Sequence, residues 1–312
     1  MTETVAGSPV WKPAPHRVPA PGLPTAVRVY EVGPRDGLQA ETKVIPTETK
    51  VEFIERLVAA GLRTVELTSF VSPRWIPQLA DAADLMSRLN LPDSVRTVVL
   101  VPNLTGLERA LSADATEVAV FVSATEEFAK HNLNNTVDGA LAAATEVTES
   151  ARALGLPVRG YISMCFGDPW KCAVSVERVA DIAKALLDSG ATSLSLGDTI
   201  GVATPGHVLA LLDAIRARGI GTEMIAMHFH DTYGQALSNV YASLTAGITE
   251  FDSAAGGLGR CPYAKGATGN LATEDLVWTR FSVRVGWGSQ IFCGRCPALR
   301  PYDPSRFCRE GS

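Results

Sequence analysis

The chain has 312 residues, 46% hydrophobic and 20% charged, with a formal net charge of −5. That balance is ordinary for a globular protein and leaves no basic footprint for nucleic acid or an anionic membrane surface. No apolar run approaches the roughly 18–20 residues of a membrane span. Residues 1–26, broken by Pro9, Pro13, Pro15, Pro19, Pro21 and Pro24, lack a signal-peptide core and are expected to form a disordered extension. The cysteines (Cys165, Cys172, Cys261, Cys293, Cys296 and Cys308) build no disulfide framework in the body of the chain, so a reducing cytoplasm is the expected compartment.

From residue 27 a unit recurs: a short apolar run, a polar turn, then a stretch with helical spacing. The first run, 27–32, ends in Gly33-Pro34-Arg35-Asp36-Gly37. A helix is predicted to open at Thr47, with Glu48 in its first turn, Val51, Ile54, Leu57 and Val58 on its apolar face, and Gly61 closing it. The second run, 64–68, leads through Ser69-Phe70-Val71-Ser72-Pro73 into a helix bearing Leu79, Ala82 and Leu85. Runs three and four occupy 96–101 and 117–122. The fifth, 158–164, follows an alanine-rich helix over 136–154. The sixth, 193–196, ends in Gly197-Asp198-Thr199. The seventh, 224–227, leads into His228-Phe229-His230, and the eighth, 250–254, precedes Gly256-Gly257-Leu258-Gly259.

Eight strand–helix units in about 250 residues predict an α/β fold, the closed parallel (β/α)8 or TIM barrel. An open doubly wound sheet is the alternative, and the lack of a Gly-x-Gly-x-x-Gly opening argues against it. The expected organisation is an extension over 1–26, a catalytic barrel over 27–277 and an atypical, poorly ordered tail over 278–312.

Such a barrel gathers functional groups at the C-terminal ends of its strands. Arg35 and Asp36 after strand one, Glu66 within strand two, Asp198 after strand six, and His228 and His230 at the end of strand seven are therefore predicted to share one rim. Residues i and i+2 of a strand share a face, so the two histidines point the same way and Phe229 turns into the opposite packing layer. With Asp36 they form a mixed oxygen and nitrogen set suited to Mg²⁺, Mn²⁺ or a similar ion. Glu66 is either a ligand, a group that supports a ligand, or a barrel-interior charge paired with Arg or Lys. Neighbours in an extended segment point apart, so Arg35 need not bind the same atom as Asp36. It is placed to stabilise an enolate or hold a carboxylate, or else forms a plain salt bridge. Asn270 offers a carbonyl oxygen to a hard cation, or caps a helix opening at Leu271. The glycines after strand eight predict a mobile loop that covers a ligand and carries Cys261, an acid–base group if its pKa is depressed and otherwise a bystander thiol. His16, His131 and His207 fall outside the cluster, and Cys165 and Cys172 read as packed thiols.

Five motifs now stand in order: Gly33-Pro34-Arg35-Asp36-Gly37-Leu38-Gln39, Thr68-Ser69-Phe70-Val71-Ser72-Pro73, Ser195-Leu196-Gly197-Asp198-Thr199-Ile200-Gly201, His228-Phe229-His230-Asp231-Thr232-Tyr233-Gly234-Gln235 and Gly259-Arg260-Cys261-Pro262-Tyr263-Ala264. Over residues 27–277 they resemble the hydroxymethylglutaryl-CoA lyases of the metal-dependent TIM-barrel superfamily of lyases and Claisen-type synthases. The resemblance implies metal ligation by Asp36, His228, His230 and Asn270, with Glu66 close by. It implies catalytic roles for Arg35, Asp198 and Cys261, and substrate contacts from Arg35, Gln39 and Thr199. The implied reaction is a metal-assisted retro-Claisen cleavage of an acyl-CoA substrate, in a homodimer.

Two departures from the family pattern stand out. Arg260 precedes Cys261 where the family carries glycine. From Trp278 the helical spacing disappears, and residues 278–312 hold six arginines, no lysine and three of the cysteines. Cys293, Cys296 and Cys308 lack a fourth ligand for structural zinc. The tail reads instead as out of register with its ancestral frame, which would disrupt the last helical elements. A lyase for a longer branched 3-hydroxyglutaryl-CoA, a Claisen-type synthase and a catalytically impaired relic are the alternative functions.

Overall fold

The computed structural model describes residues 20–171, 173–259 and 267–279, together with the backbone of 284–285. Eight strands run parallel in sequence order: β1 (Ala26–Glu31), β2 (Thr64–Ser69), β3 (Arg96–Leu100), β4 (Val118–Ser123), β5 (Val158–Ser163), β6 (Ser193–Asp198), β7 (Ile225–Phe229) and β8 (Glu250–Ser253). β1 pairs with β8 from Arg28↔Glu250 to Glu31↔Ser253 and meets β2 at Glu31↔Val65, which closes the ring. This is the (β/α)8 barrel.

Each strand is followed by a helix: α1 (Thr47–Ala59), α2 (Ala82–Arg88), α3 (Leu104–Leu111), α4 (Val137–Ala153), α5 (Val176–Asp188), α6 (Pro205–Ala217), α7 (Ala236–Thr245) and α8 (Thr273–Trp278). Polar side chains start four of them. Asn103, Thr136, Ser175 and Thr204 accept from the backbone N–H groups of Gly106, Gly139, Arg178 and His207, using donors that the first helical turn leaves unpaired.

Strand alternation divides the interior into two layers. Val27, Val29, Val158, Ile162, Leu194, Leu196, Met227, Phe229 and Phe251 face outward and pack on Ile54, Leu107, Val147, Val179, Leu186, Leu211 and other helix residues. Inside the ring lie Tyr30, Val98, Leu100, Ala119 and Tyr161. Charges share that inner layer. Arg159, fully buried, donates to Glu250 and Asp252 and stacks over the Tyr30 ring at 4.0 Å. Arg28 donates to Glu250 at 2.9 Å, and Arg96 pairs with Glu117 at the same end of the barrel.

One expectation changes here. Asn270 caps no helix, because α8 opens two residues after Leu271, at Thr273, with Ala272 at its cap; Asn270 instead bridges to His230 as a strand-like pair. At the far end, α8 runs through Trp278, and Arg284–Val285 forms a short β9 beside Ala26 and Val27 of β1. The rest of the expected atypical tail, and residues 1–19 of the expected extension, lie outside the described residues.

Candidate active site at the strand ends

After β1 the chain does not stay extended. The Val32 carbonyl accepts from Arg35, Asp36 and Gly37 N–H at 3.1, 2.8 and 3.1 Å, closing a wide helical turn over Gly33–Gly37. That turn overturns the expectation that Arg35 and Asp36 diverge. Within that turn Arg35 Nη1 donates to Asp36 Oδ1 at 2.7 Å.

At the end of β7, His228 and His230 project to one side with ring centroids 5.3 Å apart, while Phe229 packs outward near Phe166. One donor atom each from Asp36, His228 and His230 lie within 4.8 Å of one another. Asn270 joins them. Its Nδ2 donates to Asp36 Oδ2 at 2.9 Å and to the Leu258 carbonyl at 2.8 Å. Its Oδ1 is buried with no hydrogen-bond partner among the described residues. A buried amide oxygen without a donor is costly unless something electropositive meets it.

The imidazoles are oriented from behind. His230 Nδ1 lies 3.1 Å from the Thr268 carbonyl, which can only accept, so Nδ1 carries the proton and Nε2 keeps its lone pair. His228 Nδ1 lies 3.2 Å from Asp252 Oδ2, which leaves its Nε2 free in the same way. A carboxylate, an amide oxygen and two imidazole nitrogens fit a divalent cation. The electrostatics of Asp36 and His230 agree. Burial pushes the Asp36 carboxyl up, but Arg35, His228 and His230 outweigh it and hold the group at about 2. Burial, with His228 alongside, lowers His230 to about 4 and keeps it neutral, as ligation requires. His228 moves up, because its hydrogen bond to Asp252 and the charge there outweigh burial.

Glu66 lies outside this donor set. It is fully buried and accepts from Arg35 Nε at 2.8 Å, from Arg35 Nη2 at 3.3 Å and from the Tyr161 hydroxyl. The guanidinium also lies 5.4 Å from the Tyr161 ring centroid. Asp198 turns its carboxylate onto its own loop, accepting from Val202 N–H at 2.9 Å and Ala203 N–H at 3.1 Å, and burial raises it to about 6 against those hydrogen bonds. Its backbone carbonyl receives His230 N–H at 3.3 Å, so it braces the histidine segment. Thr199 Oγ1 accepts from Met164 N–H at 2.8 Å and holds Met164 at φ 60°. Gln39 leaves a buried Oε1 without a partner among the described residues.

Gly259, at φ 109°, approaches so closely that a Cβ there would lie 2.5 Å from Asn270 Nδ2, so only glycine fits. Arg260 and Cys261, which follow it, lie outside the described residues, as does Cys172. Cys165 is a buried thiol that donates to the Ile162 carbonyl. His131 stacks on Trp170, at 4.6 Å between centroids.

Sequence reading missed Tyr161, Arg159, Asp252 and Glu31. Glu31 is fully buried and accepts from Gly33 N–H, Ala255 N–H and Thr273 Oγ1, tying the first strand to both ends of the loop after β8. The available signal was polar residues at alternate positions of otherwise apolar strands, as in Arg159-Gly160-Tyr161 and Glu250-Phe251-Asp252.

The HMGL-like family model matches residues 26–286, most of the chain. The chain belongs to the HMGL-like family. This HMGL-like chain is 51% identical over 257 residues to the mitochondrial hydroxymethylglutaryl-CoA lyase of Arabidopsis thaliana, a match covering 82% of the chain and 55% of that relative. It is 47% identical over 276 residues to the cytoplasmic 3-hydroxy-3-methylglutaryl-CoA lyase of Rattus norvegicus, covering 88% of the chain and 80% of the relative. It also superposes on the crystal structure of hydroxymethylglutaryl-CoA lyase from Pseudomonas aeruginosa with a TM-score of 0.83 and 44% identity, covering 86% of this chain and 90% of that one. Among the described residues, no helix of the HMGL-like chain is long and apolar enough to cross a membrane.

Proposed function

We propose that this chain is a carbon–carbon lyase that cleaves 3-hydroxy-3-methylglutaryl-CoA to acetyl-CoA and acetoacetate, the reaction class named for its relatives. The observation that carries the reading is the cluster of Asp36, His228, His230 and the unpaired Asn270 Oδ1, with a fixed guanidinium beside it.

Asp36, His228, His230 and Asn270 would hold Mg²⁺ or Mn²⁺. When bound, the ion supplies Lewis-acid chemistry that acidifies the tertiary hydroxyl of the substrate. The chain's own residues do the rest. As the hydroxyl proton leaves for a base, the C2–C3 bond breaks, its electron pair moves into the thioester to form an enolate, and the hydroxyl carbon becomes the ketone of acetoacetate. Arg35 faces this charge with the N–H groups that Glu66 and Asp36 leave free, and its plane is fixed by those carboxylates and by Tyr161. Cys261, two residues beyond Gly259 in sequence, is assigned the return of a proton to the enolate carbon. Asp198 and Thr199 hold the loop after β6 in place, and Gln39 and Thr199 are assigned to substrate contacts.

We place the chain in the cytoplasm, as for the rat relative, and assign it a homodimeric state, with the catalytic function in the barrel over 27–277. Cleavage assays with purified chain in Mn²⁺ or Mg²⁺, then in EDTA, test the reading. Metal-dependent release of acetoacetate is expected. No release from folded, metal-bound protein would sink the assignment for this substrate.

A further inference from the structure

Behind the proposed metal site a second carboxylate lies wholly inside the barrel. Asp252 has both oxygens engaged: Oδ1 accepts from Arg159 Nη2, and Oδ2 meets the Ser195 hydroxyl at 2.7 Å and His228 Nδ1 at 3.2 Å. Asp252, Arg159 and Ser195 are all buried to within about 2% of full occlusion. They come from β8, β5 and β6, while His228 is the penultimate residue of β7, so four strands converge on one imidazole edge. Arg159 is itself anchored by Glu250 and by the Tyr30 ring.

We propose that Asp252, held by Arg159 and Ser195, is a positioning residue that sets the tautomer of His228 and so decides whether its Nε2 can bind a divalent cation. The inference rests on the metal-dependent reading above and adds a residue whose role is exerted through His228. An ionised carboxylate can only accept, so it demands Nδ1–H and leaves the lone pair on Nε2, facing Asp36 and His230. Ligating histidines commonly depend on such a partner, and its loss costs about 10–100-fold in metal affinity.

The substitution Asp252→Asn makes the logic testable at constant shape. Arg159 has only donors, so it keeps the amide oxygen on its own side. The amide NH₂ then faces His228 Nδ1 and donates to it. His228 must carry its proton on Nε2, where it blocks the ligand position. Ser195→Ala removes one hydrogen bond to Asp252 and leaves Arg159 in charge of the carboxylate.

The experiment measures two things on full-length, metal-free chain: the His228 tautomer, by long-range ¹H–¹⁵N correlation of imidazole-labelled protein, and the dissociation constant for Mn²⁺, by paramagnetic resonance of the free ion. Wild type is expected to show His228 protonated on Nδ1. Folded Asp252→Asn is expected to show the Nε2–H form, with His230 unchanged and Mn²⁺ bound about 10–100-fold more weakly. Ser195→Ala is expected to keep the wild-type tautomer and bind Mn²⁺ within a few-fold of wild type. A neutral wild-type His228 that carries its proton on Nε2 overturns the proposal even if Asp252→Asn does not fold. So does a folded Asp252→Asn with unchanged tautomer and affinity. Wild type that binds Mn²⁺ through the expected tautomer yet leaves 3-hydroxy-3-methylglutaryl-CoA uncleaved overturns the lyase reading alone.

Discussion

Arg35 shows how much one side chain can organise. Its guanidinium presents five N–H donors in one plane and uses three of them, two on Glu66 and one on Asp36. Lysine at this position has three donors on a point charge and cannot span both carboxylates. Arg35→Lys is therefore expected to lower kcat by about 10²–10³-fold, the loss typical of one fixed donor to a developing oxyanion, with a much smaller change in KM. Steady-state kinetics on 3-hydroxy-3-methylglutaryl-CoA separate the two. A raised KM with kcat unchanged would assign Arg35 to ground-state binding instead. At this scale the sequence was legible only in part. The adjacency of Arg35 and Asp36 was visible, but their convergence depends on the turn that Val32 closes. Glu66 and Tyr161 meet across 95 residues, and no local spacing announces such a pair.

The elements themselves were far easier to read. Strand limits fell within two residues of the observed ones, because seven of the eight strands carry valine, leucine or isoleucine next to turn residues, β8 (Glu250-Phe251-Asp252-Ser253) being the exception. The connections between strand ends were hidden, because they depend on which loops touch. Glu31 is the clearest case. Burial outweighs its three hydrogen bonds and raises its carboxyl from 4.5 to about 7. A carboxyl whose pKa rises on folding binds its proton more tightly in the native state. The fold should therefore lose stability as pH climbs from about 4.5 to 7, on the order of 3 kcal/mol from this group, and stay level above that. Glu31→Gln retains an acceptor for the Gly33 and Ala255 N–H groups and is expected to flatten that slope, as urea melts across the pH range would show. An unchanged slope would move the effect elsewhere. Asp198 offers a second test within one loop. Asp198→Asn sets an amide donor against one of the Val202 and Ala203 N–H groups. A loss of about 1–3 kcal/mol is expected, with faster amide exchange confined to 199–203.

For the whole molecule, the barrel is a ring whose metal-ligand candidates belong to three separate segments. A cation that joins them binds the native state and not the unfolded chain, so it should add stability by mass action. At a free Mn²⁺ concentration 100-fold above its dissociation constant the gain is about 2.7 kcal/mol, enough to raise Tm by roughly 5 °C. EDTA should reverse the shift, and calorimetry would show it. No shift would mean that Asn270 Oδ1 meets no ion. The ring as a whole was legible from eight repeats of apolar run and helix. Its polar interior was not, because Arg159, Glu250 and Asp252 read as charges in strands until closure brings them face to face.

The same closure gives the site a history in time. Asp36 and Asn270 are separated by 234 residues, and Glu31 and Thr273 by 242. At a synthesis rate of about 5–20 residues per second, the first half of each pair waits on the order of ten seconds or longer for the second. Throughout that interval β1 has no β8 to pair with, and its hydrogen-bonding edge stays open to other chains. A nascent polypeptide can thus build most of its wall on the ribosome while remaining inert, and it acquires its chemistry only when the segment carrying Asn270 and Thr273 emerges and the ring shuts.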